Sequence, residues 1–425
     1  MRPRWRLAGA SLLVSAALAT LHAQQSGSGV PQFEVDHRWP QMPDKWALGQ
    51  VSGLAVDRRD HIWVIHRPSS LDEGELFAGM KPPHADCCVA APPVLEFDQN
   101  GKFIQGWGGP DAGYEWPTPT TIYPGYLTAI GKSMAIAPAR PTGSAGTETA
   151  GRTGRAPGDS RAENAEHGIY VDPKDNVWLA GNGEGNHQLL KFTRDGKFLL
   201  QIGRHGQSQG SNDTQNLNQP TGMQVYPPTN EIFVSDGYGN RRVIVFDADT
   251  GAYKRHWGAY GKTPDDTYKF PARAQLVQGP PPPQFNNPVH SVVVSSDDLV
   301  YVADRTNNRL QVFRLDGTFV KEMFIARNTL QAEGTVYHFV LSPDKEQKFL
   351  YVVDGSNKAI RVLNRQTLEI VANIGGHAGH NAREFFHVHS AAGDSKGNLF
   401  IGEVNAGQRY YRYAFKGMGT AAPSR

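Results

Sequence analysis

The fold of this chain is decided by residues 288–323, PVHSVVVSSDDLVYVADRTNNRLQVFRLDGTFVKEM. Its apolar runs VHSVVV, LVYVAD, RLQVF and FVKEM alternate with the polar segments SSDD, RTNN and DGT. Runs rich in Val, Tyr and Phe that are bounded by Asp, Asn, Ser and Gly are typical of short strands joined by turns. The stretch therefore predicts a unit of four antiparallel strands.

The same pattern occurs elsewhere in the sequence, so the chain is built from repeats. The other units share the pattern and begin at Gly49, Glu166, Gln219, Val336 and His387. Where no long insertion intervenes, unit starts are about 50 residues apart, which is the spacing of β-propeller blades. Six units predict an all-β fold, a six-bladed β-propeller forming a single domain over residues 24–425.

The ring is expected to close through a strand at its amino end. The last unit ends near Phe415 without a clear fourth strand, whereas PQFEVDHRW, residues 31–39, is a strand without a unit. We predict that this amino-terminal strand completes the last blade, because closure removes exposed sheet edges. Insertions at about 109–165 and 262–287 interrupt the repeats, and loops this long are usually functional or mobile. The first insertion either covers one mouth of the channel or is a surface loop.

Residues 1–23 have the pattern of a secretory signal peptide, with three Arg, an apolar core and a small residue at the expected cleavage point, Ala23. A membrane anchor is the alternative. Removal of this segment changes the net charge from +2 to −1, which gives no electrostatic reason to expect nucleic acid or an anionic membrane as partner. We therefore expect a secreted or periplasmic protein, monomeric and free of the membrane once the signal is removed.

The chain has only two cysteines, and they are adjacent. Cys87 and Cys88 cannot join distant parts of the fold. In an oxidising compartment they form either a vicinal disulfide or two free thiols, and the sequence leaves both open.

Histidines recur at one position of the repeat. When the six first strands are aligned, that position holds Ser52, His167, Thr221, His290, His338 and His389. The first strand of a blade lines the central channel, and alternate blades are roughly 120° apart. His167, His290 and His389 should thus converge on the axis as an open metal site, with zinc the usual occupant. His338 is expected to be a substrate contact, a fourth ligand or a hydrogen-bonded channel residue.

Charged and phenolic side chains follow the second strands. Arg67 and Arg305 have the same offset in blades one and four, and Tyr238 lies one residue further along in blade three. Two guanidinium groups beside a metal would bind a carboxylate, and a nearby phenol could transfer a proton. The alternative is hydrogen bonding between blades, which we expect for Asp236 and Asp304.

Several of these stretches resemble one family. They are HGIYVDPKDNVW (167–178), NHQLLKF (186–192), IFVSDGYGNRRVIVF (232–246), VYVADRTNNRLQVF (300–313) and HSAAGDSKGNLFIGE (389–403). They resemble the lyase domain of the peptide-amidating enzyme and, more closely, secreted bacterial six-bladed NHL-repeat propellers. The resemblance covers about residues 49–415.

The resemblance implies a catalytic site. The family's zinc is held by three His that fall on His167, His290 and His389. Its tyrosine falls on Tyr238, and its two arginines fall on Arg67 and Arg305, which gives these three residues catalytic roles.

Two positions depart from the family pattern. A structural calcium is held there by backbone oxygens that fall on Leu54 and Ile169 and by an Asp that is Ser390 here, which leaves calcium in doubt. A pocket Met is His387 here, which we expect to contact substrate together with His338.

These residues and the resemblance suggest three alternative functions. The first is a zinc-dependent lyase that cleaves the C–N bond of an N-acyl α-hydroxyglycine-type carbinolamide, of small-molecule or peptide size, to an amide and glyoxylate. The alternative is a non-catalytic NHL-repeat binding or scaffold protein with a structural metal. A hydrolase of the lactonase type ranks last, because such sites use acidic calcium ligands.

Overall fold

The computed structural model describes residues 29–117 and 165–420, which form six four-stranded antiparallel sheets arranged as the blades of a propeller. The all-β, six-bladed prediction is confirmed. The predicted signal peptide, residues 1–23, and most of the predicted insertion at 109–165 lie outside the described residues. Within the described residues, no helix has the length and apolar character needed to cross a membrane.

The strands follow one another in chain order. The amino-terminal strands are β1 (Val30–Asp36) and β2 (Trp46–Ala47). Blade one contains β3 (Gln50–Val56), β4 (Ile62–Arg67), β6 (Val94–Phe97) and β7 (Phe103–Trp107), and the short β5 (Val89–Ala90) pairs with β2. Blade two contains β8 (Glu166–Val171), β9 (Val177–Gly181), β10 (Gln188–Phe192) and β11 (Phe198–Gly203). Blade three contains β12 (Pro220–Tyr226), β13 (Glu231–Asp236), β14 (Arg242–Asp247) and β15 (Tyr253–Trp257).

The second half repeats this order. Blade four contains β16 (Val289–Val294), β17 (Leu299–Asp304), β18 (Arg309–Arg314) and β19 (Phe319–Phe324). Blade five contains β20 (Val336–Leu341), β21 (Phe349–Asp354), β22 (Ala359–Asn364) and β23 (Ile370–Gly375). Blade six contains β24 (Val388–Gly393), β25 (Leu399–Glu403) and β26 (Tyr410–Gly419), followed in space by β1.

Helices are few in the described ranges. The helix α1 (Arg273–Gln278) lies in the insertion at 262–287. Short 3-10 helices occupy Pro68–Ser70, Glu73–Glu75, Phe77–Gly79, Ala259–Gly261 and Asn405–Gly407. Of the two alternatives for Cys87 and Cys88, the structure has the disulfide.

The amino-terminal strand closes the ring. β1 pairs antiparallel with β26 from Val30 opposite Gly419 to Asp36 opposite Arg412. The first strands of successive blades are neighbours, and β3 of blade one also lies beside β24 of blade six. The prediction that the strand at residues 31–39 completes the last blade is therefore confirmed.

Each blade packs apolar side chains against the next. Between blades three and four, for example, Trp257, Phe285 and Phe313 are buried with the valines of β16 and β17. Burial of apolar surface stabilises a fold by roughly 25 cal/mol per Å². The outermost strands have one side in solvent, as at Val320 of β19, which is 40% exposed. The inner strands are thus fixed in position, and these strands carry the candidate site.

A β-bulge recurs in the first strand of every blade. The pairing register slips by one residue at the same point, which leaves one residue unpaired: Ser52, His167, Thr221, His290, Tyr337 and His389. Bulges commonly re-aim a side chain next to a functional site. Our prediction that His338 shares this position is wrong by one residue, because Tyr337 is the bulged residue of blade five. His338 instead corresponds to Ser390, the first paired residue after the bulge.

Buried acid–arginine pairs join the second and third strands of blades three and four. Asp236 Oδ2 accepts from Arg242 Nε at 2.9 Å, and Asp304 Oδ2 accepts from Arg309 Nε at 2.7 Å. All four side chains are fully buried. These ion pairs lie within one blade, because the end of the second strand faces the start of the third. We expected Asp236 and Asp304 to bond between blades, and the second oxygen of each does accept from the segment leading in from the preceding blade, from Asn218 N at 2.8 Å and from Asn286 N at 3.0 Å.

Candidate metal centre

Three histidines meet on the propeller axis. His167, His290 and His389 come from blades two, four and six, and their ring centres are 4.9, 4.9 and 4.8 Å apart. The side chains are buried, and one ligand nitrogen of each lies within 4.8 Å of the others. The structure therefore brings together the three residues that the repeat pattern selected.

Backbone carbonyls fix the orientation of these imidazoles. Each Nδ1 faces a carbonyl of the following blade: His167 to Thr221 at 3.0 Å, His290 to Tyr337 at 2.6 Å and His389 to Ser52 at 2.9 Å. A carbonyl oxygen only accepts, so each Nδ1 carries the proton and donates it. Each Nε2 is then left with its lone pair, which is the form in which histidine binds a metal.

The electrostatics of the centre favour neutral imidazoles. Burial is the main cause that lowers the pKa of each ring well below its usual value. Arg305 lowers the pKa of all three further, and Arg67 lowers that of His167 and His389. The Nε2 of His167 is buried without a hydrogen-bond partner. A buried polar atom with no partner is costly unless something binds it. Three neutral nitrogens and an open fourth position fit a zinc ion.

Tyr238 lies at the edge of this centre. Its hydroxyl is 3.4 Å from His290 Nε2, and it accepts a hydrogen bond from Arg305 Nη1 at 3.2 Å. Its ring centre is 5.4 Å from that of His167. The phenol is thus within reach of a group bound at the open metal position.

The two arginines differ in how they are held. Arg67 is fixed by Glu166 O at 2.9 Å, Gln50 Oε1 at 3.0 Å and Asn182 Oδ1 at 3.2 Å. The strand register confirms that Arg67 and Arg305 are equivalent, since the residues before them pair with Val51 and Val289.

Arg305 keeps donors available. Within the described residues its guanidinium donates only to Tyr238, and its Nε is buried without a partner. Its central carbon lies 4.6 Å from the centre of the Tyr337 ring and 5.5 Å from that of Tyr238. Arg305 can therefore bind an anion presented beside the three histidines.

His338 and His387 are not members of the ring of three. His338 lines the same channel cavity of about 270 Å³ as the three ring histidines, which extends along the first strands and is not lined by Tyr238 or the two arginines. His387 contacts Glu333, with His387 Nε2 3.5 Å from Glu333 Oε2. Burial is the main cause that lowers the pKa of both imidazoles to about 4. Their predicted contacts with substrate stay predictions.

A second cluster of metal-ligating groups has a different explanation. Asp57, His61 and Glu96 lie together between blades one and two. Arg194 bridges them, with Nη1 2.6 Å from Asp57 Oδ2 and Nη2 bonded to Glu96 Oε1. A guanidinium already neutralises this cluster, so it offers no metal site.

The sequence profile of the NHL repeat matches residues 285–313, which span the ring residue His290 and Arg305. The chain is an NHL-repeat β-propeller. It is homologous to peptidylglycine alpha-amidating monooxygenase of Rattus norvegicus, with 26% identity over 287 residues that cover 65% of this chain and 22% of that protein. Peptidyl-alpha-hydroxyglycine alpha-amidating lyase 1 of Drosophila melanogaster is 27% identical over 263 residues, 56% of this chain and 42% of that protein. NHL repeat-containing protein 3 of Homo sapiens is 29% identical over 157 residues, 35% of this chain and 39% of that protein.

The matched region covers only part of each relative. The NHL propeller spans about a quarter of the length of the amidating monooxygenases that it matches. The activities of those much longer proteins are therefore not assigned to this chain.

The calcium implied by the family resemblance does not fit the channel. Leu54 and Ile169 line the channel cavity, but the described residues that line it include no Asp or Glu, and Ser390 stands at the key position. Calcium prefers sites that contain carboxylate oxygens. The NHL propeller thus lacks the donor set for calcium at this place.

Sequence reasoning missed Tyr337 and Glu333. Tyr337 is the fifth member of the bulge position, and its hydroxyl donates to Glu333 Oε2 at 2.8 Å. The sequence did contain a signal for Tyr337, namely the valine that precedes the bulge. When Val289, Val336 and Val388 are aligned, Tyr337 takes the position that His290 and His389 have in the two neighbouring blades.

Proposed function

We propose that this NHL propeller is a zinc-dependent lyase that cleaves the C–N bond of an N-acyl α-hydroxyglycine-type carbinolamide to an amide and glyoxylate. The observation that carries the proposal is the convergence of three buried imidazoles beside the Tyr238 hydroxyl and the Arg305 guanidinium. Relatives named as alpha-hydroxyglycine amidating lyases support the same reaction class.

The donor set defines where a metal would act. His167, His290 and His389 would hold zinc, which supplies Lewis acidity toward an oxygen of the substrate. The free donors of Arg305 bind the substrate carboxylate, and a guanidinium matches a carboxylate in shape and charge. Arg67 lies in a rigid set of hydrogen bonds and adds a second positive charge to the site.

Tyr238 is placed to move the proton. In the reaction the hydroxyl of the carbinolamide loses its proton, the C–O bond becomes the aldehyde of glyoxylate, and the C–N bond breaks. The leaving amide nitrogen gains one proton. Tyr238 can accept the proton from the oxygen and return it to the nitrogen, so the reaction needs no water and no redox partner.

Metal removal tests the proposal. We expect protein purified without added metal to contain about one zinc per chain and to convert α-hydroxyhippurate to benzamide and glyoxylate. A chelator should abolish turnover, and zinc should restore it. Absence of turnover by the zinc-loaded protein would reject this substrate class and would favour the binding or scaffold alternative.

The Tyr238→Phe variant tests the proton carrier. We expect kcat to fall by about 10²–10⁴-fold, the usual contribution of a general acid–base group. Zinc content should stay the same, because Tyr238 is not one of the three imidazole ligands. The matched control is Tyr253→Phe in β15, where the tyrosine is surface-exposed. Equal rates for the two variants would exclude Tyr238 as the proton carrier.

A further inference from the structure

One wall of the candidate site is formed by Tyr337, at the bulge position of blade five. Its side chain is fully buried, and its ring centre is 5.5 Å from that of His290 and 6.0 Å from that of His389. Its hydroxyl donates to Glu333 Oε2 at 2.8 Å. Tyr337 therefore offers the site the face of its ring, while its hydroxyl is engaged elsewhere.

The guanidinium of Arg305 lies against that ring. It is held between two phenols, with its central carbon 4.6 Å from the Tyr337 ring centre and 5.5 Å from the Tyr238 ring centre. Within the described chain, its one hydrogen bond runs to the Tyr238 hydroxyl. A group with one hydrogen bond and two ring contacts owes its orientation mainly to the rings.

The loop that carries Glu333 is fastened to the backbone of Arg305. Thr335 N donates to Arg305 O at 3.2 Å, and Ser356 Oγ donates to Gly334 O. Gly334 has φ +78°, and a Cβ there would lie 1.9 Å from Arg305 O. Only glycine fits this close approach. The acceptor for Tyr337 and the backbone of Arg305 are thus parts of one rigid assembly.

Glu333 has a second neighbour at the mouth of the site. His387 Nε2 lies 3.5 Å from the same carboxylate oxygen that Tyr337 bonds. His387 Nδ1 is in turn 2.9 Å from Asn405 Nδ2. The carboxylate is therefore held from two blades.

We propose that Glu333 and Tyr337 are positioning residues that hold the Arg305 guanidinium where it can bind the carboxylate of a substrate. The pair makes the site selective for ligands that carry a carboxylate next to the reacting carbon. This inference rests on the proposed lyase function for its substrate. The selectivity itself depends on the arginines of the site, and Tyr337 and Glu333 act on it through Arg305.

The test uses variants that separate the ring from its hydroxyl. Tyr337→Leu removes the ring under Arg305, whereas Tyr337→Phe and Glu333→Ala keep the ring and break its hydrogen bond. We expect Tyr337→Leu to raise KM for α-hydroxyhippurate by about tenfold, with a smaller rise, roughly threefold, for the other two. We expect kcat to stay within about threefold of the parent, because a carboxylate bound equally before and during reaction affects KM. Glu369→Gln on the exposed turn of blade five is the control.

A second substrate distinguishes positioning from general damage. In the carbinolamide whose carboxylate is replaced by a primary amide, Arg305 has no anion to bind. We expect its kcat/KM to be the same in the parent and in all three variants. Equal losses on both substrates would overturn the positioning role, as would an unchanged KM for α-hydroxyhippurate in Tyr337→Leu.

Hippurate has the carboxylate but lacks the hydroxyl that must lose its proton for C–N cleavage, so its binding can be measured without turnover. Calorimetry on the zinc-loaded protein should show about tenfold weaker binding to Tyr337→Leu than to the parent. If the parent binds hippurate but turns over neither substrate, the lyase function fails, and the affinity of the variant still decides the positioning role. Equal affinity in parent and variant would reject it.

Discussion

We expect the His290→Gln variant to lose its zinc while the propeller still folds. Removal of one of three protein ligands should weaken metal binding by more than about 100-fold, since loss of a mere supporting hydrogen bond already costs 10- to 100-fold. His290 also donates from Nδ1 to Tyr337 O and lies 3.4 Å from the Tyr238 hydroxyl. The substitution thus removes a ligand and the partner of the proposed proton carrier, so lyase activity should fall below detection.

The measurement is elemental analysis of protein purified without added metal, together with thermal unfolding. His338→Gln is the matched control, because His338 is also a channel histidine, partly buried, but lies one residue past the bulge of its blade. We expect this control to keep its zinc. Retention of zinc by both variants would contradict the three-histidine centre, whereas zinc loss from both would make His338 a fourth ligand.

The second large effect concerns stability. We expect Asp236→Ala to lower the free energy of unfolding by about 3–5 kcal/mol, the usual cost of removing one partner of a buried ion pair. Asp236 and Arg242 are both fully buried. Arg242 would keep its bonds to the carbonyls of Ser211 and Asn216, but its charge would have no counterion.

Urea unfolding measures this change, and an exposed acid provides its control. Asp249 pairs with Lys174 at 2.7 Å, and both side chains are about half exposed. An exposed pair contributes about 0–1 kcal/mol, so Asp249→Ala should cost no more than that. Similar losses for the two variants would mean that the buried pair does not stabilise blade three as its burial suggests.

The sequence was sufficient for the architecture because the signals for a blade are local. Each strand is a short apolar run and each turn a cluster of Asp, Asn, Ser or Gly, as in residues 288–323. The strand at residues 31–39 could be assigned to the last blade because that blade lacked one strand. The convergence of His167, His290 and His389 followed from the repeat, since equivalent residues of alternate blades face one another across the axis.

The alignment failed at blade five, where residue type was matched instead of backbone register. His338 was chosen because it is a histidine, but the bulge after Val336 places Tyr337 at the ring position. The amino-acid composition of a strand does not reveal which residue is the extra one of a bulge. Its position becomes clear only when the apolar residue before the bulge is aligned between blades.

Other parts of the site had no sequence signal. The carbonyls that accept from the three Nδ1 atoms belong to the backbone, and any residue could supply them. Glu333 lies in a connecting loop outside the repeat, and its contact with Tyr337 depends on the fold of that loop around Gly334. Such contacts appear only when the blades are assembled.

The hydrogen bond from His389 to Ser52 joins the last blade to the first across 337 residues of chain. If the three histidines hold an ion as proposed, its capture is a late event in biogenesis. A nascent chain that has not yet made its final repeat lacks the third imidazole, His389, although Ser52, whose carbonyl orients it, has long been synthesised. The complete coordination sphere then forms only when the last blade closes on the first.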